Sequence, residues 1–137
     1  MKRKIFKRFI SHAPDISPEG ELTICLPLPA RALSPNAKSK HPMILHRHKK
    51  AAKQRAYIET RRAAGMFRLP TFTRYTLTFH HSTNRNRDDD NAAASCKAYR
   101  DGIAAGLGVD DNTLRLTGET RLLIDRENPR LEITLIP

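Results

Sequence analysis

The sequence predicts an α/β chain of the α+β kind, with a mixed β-sheet and two main helices in a single small domain. Three observations carry this. A length of 137 residues fits one domain. Apolar residues alternate with period two around residues 21–28, 75–80, 113–124 and 131–135. Two alanine-rich, proline-free stretches, 45–64 and 91–107, lie between them.

In chain order, residues 1–19 read as a basic, flexible tail (Lys2-Arg3-Lys4, Lys7-Arg8, then a Pro/Ser/Asp segment), and residues 20–137 as the domain. Leu22, Ile24 and Leu26 point one way and Thr23 and Cys25 the other, which makes a strand that ends at Pro27 and Pro29. Residues 30–44 read as a loop with a turn signal at Pro35-Asn36. The 45–64 helix puts Lys49, Lys50, Lys53 and Arg61 on one surface and Ala52, Ala56 and Ala63 on its packing side, with Gly65 as its stop. The basic surface fits either a solvated helix face or a phosphate-binding one.

Tyr75, Leu77 and Phe79 alternate with Thr76, Thr78 and His80 in a second strand that runs into Arg87-Asp88-Asp89-Asp90-Asn91. Asp90 or Asn91 caps the 91–107 helix, and Gly106 and Gly108 end it. A third strand, interrupted at Gly118, occupies 113–124. The Glu127-Asn128-Pro129 region then predicts a hairpin turn into the last strand, 131–135.

Charge divides the chain. Residues 1–68 hold 16 Lys/Arg and 4 Asp/Glu, whereas residues 69–137 hold 9 and 10, within a formal net charge of +11. A polyanionic partner suits the first half. Cys25 and Cys96 match no zinc or redox spacing and read as free thiols. No apolar run approaches the ~20 residues of a membrane span. The basic N-terminus lacks the apolar core and cleavage site of a signal peptide, so a cytoplasmic protein is the expectation.

The acidic cluster carries the chemistry. At a strand end, period two would place Asp88 and Asp90 on one face and Asp89 on the other. Asp110 and Asp111 follow the next helix, and the chain's return can bring one of them beside the first pair. Carboxylates gathered at one point repel one another without a cation, and hard oxygen donors suit Mg²⁺ or Mn²⁺. Such a metal polarises a phosphodiester and supplies a hydroxide. The same run also fits a solvated turn. Lys97 has two readings: an i,i+4 partner of Asp101, or a cation reaching the transferring phosphate. His46, His48, His80 and His81 are candidate phosphate or metal contacts, the last two also simply a strand end.

The ordered set Arg87-Asp88-Asp89-Asp90-Asn91, Lys97-Ala98-Tyr99-Arg100-Asp101-Gly102-Ile103 and Leu107-Gly108-Val109-Asp110-Asp111 resembles the RusA family of Holliday junction resolvases. The likeness reaches upstream to Leu26-Pro27-Leu28-Pro29 and Ser34-Pro35-Asn36, and downstream to Leu131-Glu132-Ile133-Thr134, covering roughly residues 21–136. It implies a RusA-like fold and a homodimer that nicks four-way DNA junctions symmetrically, using Mg²⁺ or Mn²⁺ and an activated water. By position, the metal-binding and catalytic aspartates fall on Asp88, Asp90 and Asp111, with Asp110 a weaker candidate. The catalytic lysine falls on Lys97, six residues after Asn91, where the family spacing of about three would reach Ala94. The resemblance also implies a bacterial or phage setting, branched DNA as partner and no membrane association. The other reading is a non-catalytic basic nucleic-acid-binding protein, whose acids lie in turns.

Overall fold

A computed structural model describes residues 9–37, 41–84 and 89–137, with the backbone alone at Asp89 and Asp90. It is an α+β domain with a six-stranded mixed sheet and two main helices. The strands are β1 (Asp15–Ile16), β2 (Leu22–Leu26), β3 (Arg74–His81), β4 (Arg115–Leu116), β5 (Arg121–Ile124) and β6 (Arg130–Ile136). The helices are α1 (Pro42–Met66), α2 (Asp89–Ala94) and α3 (Lys97–Leu107).

Strand β6 is central and antiparallel to both neighbours, β2 and β3. Its register turns the sequence alternation into three apolar rows across the sheet. These are Leu22–Leu135–Tyr75, Ile24–Ile133–Leu77 and Leu26–Leu131–Phe79, all buried. On the opposite face Thr23, Thr134 and Thr76 form a polar row, with the first two hydroxyls 3.2 Å apart.

Strands β4 and β5 both lie parallel to β3 on its other side, separated by Gly118 at φ 69°. The expected break at Gly118 is therefore found, but the expected hairpin between β5 and β6 is not, because β3 lies between them. The reason is local. Asp125 Oδ1 accepts from the amides of Glu127 and Asn128, both at 3.1 Å, and its Oδ2 accepts from Arg130 Nη1 at 2.7 Å. This Asx-type knot carries the chain past the end of β3 instead of folding it back on β5.

The boundary placed at residue 19 moves. Asp15 and Ile16 pair with Thr23 and Leu22, and Phe9 lies 5.4 Å beneath the Arg55 guanidinium, so the chain is tied down well before residue 20. The basic residues Lys2 to Arg8 lie outside the described residues.

Helix α1 extends beyond its expected limits at both ends. Pro42 opens it, at the position where a missing N–H costs nothing. Gly65 does not stop it; the helix runs one residue further. Ala52, Ala56 and Ala63 are buried as expected, and Thr60 joins them because its hydroxyl donates to the Ala56 carbonyl at 2.8 Å.

The single helix expected over 91–107 is two. It begins at Asp89, so Asp90 and Asn91 are inside the first turn instead of capping it. It breaks at Ser95-Cys96, where the Ser95 hydroxyl donates to the Ala92 carbonyl at 2.6 Å and the Cys96 amide to that of Ala93 at 3.1 Å. Burial of Cys96 and the Tyr99 hydroxyl's bond to the Pro27 carbonyl (2.8 Å) fix where α3 restarts. Gly106 lies within α3; Gly108, in the left-handed region at φ 71°, terminates it.

Helices α1 and α3 touch through glycines. A Cβ at Gly102 would collide with the Lys53 carbonyl oxygen, and one at Gly106 would sit 2.7 Å from Thr60 Cβ. At Gly65 such a Cβ would meet nothing within 4 Å. Gly102→Ala is therefore expected to destabilise the fold by about 1–3 kcal/mol through overpacking, despite alanine's better helix propensity. Gly65→Ala should stabilise it by up to about 1 kcal/mol. Urea unfolding of both variants checks this, and equal midpoints would refute the tight-contact account. Asp125 supplies a pH test. Its hydrogen bond to Arg130 holds its carboxyl below the ordinary 3.8. Its stabilisation is thus present above pH 3.8 and lost as pH falls below it. Asp125→Asn should flatten that acid limb in thermal melts followed by circular dichroism.

Candidate nucleic-acid interface and carboxylate site

Two arrangements flank α3. The first is a cleft of about 560 Å³ between the Arg31–Leu33 turn with Ser34-Pro35, the first half of α1, and the α2–α3 junction. Lys49, Lys50 and Lys53 approach it from α1 and Lys97 from α3, while His46 and Ser34 add polar edges. Among the described residues one carboxylate, Asp101, lines it. Lys49 and Lys53 are one helical turn apart, so they share a face, and the Gly102 contact brings that face to α3.

The i,i+4 pairing of Lys97 with Asp101 is not formed: among the described residues no ion pair within 4.0 Å joins them. Instead Asp101 Oδ1 is buried without a hydrogen-bond partner at the cleft wall. Arg61, expected on the same surface, lies elsewhere and reaches the Gly106 carbonyl at 3.5 Å.

The second arrangement surrounds Asp111. Asp110 and Asp111 have different tasks. The Asp110 carboxylate accepts from the Asn112 amide at 3.0 Å and starts the Asp111–Thr113 turn, and this bond holds its carboxyl below the ordinary range. Asp111 makes no such cap. Its Oδ2 lies 3.8 Å from Arg100 Nη2, and its side chain, 41% exposed, also hydrogen-bonds to that of Asp110. Arg100 Nε is buried and unpartnered. Asp111 is not among the residues that line the lysine cleft; its contact on α3 is Arg100, three residues after Lys97.

Asp88 lies outside the described residues, as do Arg85 and Arg87, and so does the side chain of Asp90. The strand-end geometry expected for Asp88 and Asp90 does not hold for Asp90. Strand β3 stops at His81 and Asp90 belongs to a helix, where period two does not apply. Among the described residues no three His, Cys, Asp or Glu side chains form a metal-holding group. The donor that is described, Asp111, is a hard carboxylate oxygen of the type Mg²⁺ takes.

The histidines divide as well. His80 and His81 end β3; His80 Nε2 lies 3.5 Å from Glu132 Oε1, and the His81 ring stacks on Phe79 at 5.8 Å. Sequence reasoning missed Arg100 as the partner of Asp111. His46, a candidate phosphate or metal contact in the sequence, lines the cleft, and Lys49, Lys50 and Lys53 follow it by three, four and seven residues.

No family profile matches the chain. It is 43% identical over 95 residues to an uncharacterized protein of Xylella fastidiosa (strain Temecula1 / ATCC 700964), a stretch covering 65% of this chain and 60% of that protein. The chain thus spans less than two thirds of the relative it matches. Among the described residues no helix is long and apolar enough to cross a membrane.

Both cysteines are free and buried. Burial pushes the Cys25 thiol up to about 11 and that of Cys96 up to about 12. Both should stay protonated and silent to a disulfide reagent at pH 8, then react together on denaturation. Rapid titration of a thiol in the native protein would contradict this.

Proposed function

We infer that the chain is a metal-dependent, structure-specific endodeoxyribonuclease that resolves four-way DNA junctions by paired symmetric cleavage, as the likeness to the RusA resolvases implies. The observation that carries the reading is the split between Asp110 and Asp111. The first carboxylate caps a turn, and the second makes no such cap and stays partly exposed beside Arg100, at the position that the motif assigns to a ligand.

On this reading Asp88, Asp90 and Asp111 hold Mg²⁺, for which Mn²⁺ can substitute. The bound cation supplies charge stabilisation of the phosphate and an acidified water. Arg100, 3.8 Å from the Asp111 carboxylate, would attract that side chain and help keep it in place to hold the cation. Lys97, the first residue of α3, faces the substrate side and balances charge developing on the scissile phosphate. The excess of basic residues in the first half of the chain draws the polyanion in.

A homodimer follows from the substrate. Two strands cut at symmetry-related positions call for two active sites about a twofold axis. The matched relative is bacterial, in keeping with a bacterial or phage cytoplasmic setting.

Cleavage of a synthetic mobile four-way junction beside linear duplex, with and without Mg²⁺, tests the proposal. Wild-type protein is expected to nick the junction only with metal. Asp88→Asn, Asp90→Asn and Asp111→Asn should each lose on the order of 10²–10³-fold in rate while still binding DNA. Undiminished cutting by Asp111→Asn would remove the assignment. Binding without cutting by wild-type protein would favour the non-catalytic reading.

A further inference from the structure

We propose that the cleft lined by Lys49, Lys50, Lys53 and Lys97 is a phosphodiester track. It seats a short run of one DNA strand and leads it across α1 to the start of α3. The inference rests on the junction-cutting reading for the identity of the nucleic acid, but the track itself is argued from charge and shape.

Three features of the cleft agree. Among the described residues, four lysines converge on one concavity from two separate elements, with one carboxylate in its walls. Like charges brought together in this way repel one another, and a polyanion relieves that repulsion. The lysines of α1 are also spaced for a strand. Lys49 and Lys53 are separated by about 6 Å along the helix axis, comparable to the step between neighbouring phosphates. Between the lysines, Leu33, Leu45 and Ala98 give an apolar floor, which suits the sugars that alternate with charged phosphates.

Lys97 joins the track to the carboxylate site. It lines the cleft and opens α3, directly after the helix that contains Asp90. A strand lying along Lys49, Lys50 and Lys53 is thereby delivered towards α2. The α1 lysines grip and position, and take no part in the chemical step. Because phosphates are contacted and bases are not, the track is indifferent to sequence.

The test is binding of fluorescent four-way junction DNA by full-length protein in EDTA, over a range of salt concentrations. The triple variant Lys49→Ala/Lys50→Ala/Lys53→Ala should weaken binding and lower the slope of log K against log[salt] by about 2 to 3. Lys→Arg at the same three positions should restore both. A charge-matched control, Arg68→Ala/Arg115→Ala/Arg121→Ala, removes three exposed arginines outside the cleft and should change the slope by less than one unit. Circular dichroism melts confirm that the variants fold. An unchanged slope in the lysine variant, or an equal loss in the arginine control, overturns the track. An equal slope change on anionic vesicles, with no change on DNA, would overturn it in favour of a lipid surface. Because EDTA removes cutting, the two readings fail separately. A lysine variant that binds normally sinks the track alone, whereas wild-type protein that binds through these lysines but never nicks sinks the nuclease alone.

Discussion

The contact between α1 and α3 is the constraint on which the rest of the structure depends. Gly102 and Gly106 remove side-chain bulk where the two helices cross, so the Lys53 carbonyl and Thr60 press directly against the α3 backbone. This lets a 25-residue helix and an 11-residue helix cover the sheet with little more than alanine between them. It also brings like charge together, since the same approach places Lys97 across a cleft from Lys49, Lys50 and Lys53. The close packing of small side chains and the apolar rows beneath must offset that repulsion.

The sheet was legible because its strands are half-buried and the period-two pattern reports this directly. Leu22, Ile24 and Leu26, then Tyr75, Leu77 and Phe79, then Leu131, Ile133 and Leu135 are the buried rows. Strand order was not legible. The Glu127-Asn128-Pro129 signal marks a turn correctly, but a turn does not say which strand receives the chain. That was decided by Asp125 and Arg130, a contact made between side chains. Ala52, Ala56 and Ala63 were likewise readable from helical spacing. The break at Ser95-Cys96 was not, because hydroxyl back-bonding and burial of Cys96 have no periodic signature.

The candidate site was legible in its residues more than in its arrangement. Composition and order single out Asp88, Asp90, Lys97 and Asp111, and the first of these lies outside the described residues. What the sequence could not show is the division of labour within pairs. Asp110 and Asp111 are chemically identical neighbours, and the structure distinguishes them by the Asn112 amide on the first and Arg100 beside the second. Lys97 and Asp101 have ideal helical spacing, yet the lysine turns to the cleft and the aspartate keeps a buried oxygen unpaired. Spacing sets which partners are within reach, and the surrounding charges choose among them.

The two borders of the sheet have a consequence for assembly. One border is the two-residue β1; the other is split at Gly118 into β4 and β5, of two and four residues. Among the described residues, neither offers a long ladder of free peptide groups on which another chain could extend the sheet. This guards against fibril-like growth. It also directs any self-association of this domain to side-chain surfaces, where shape and charge set the partner.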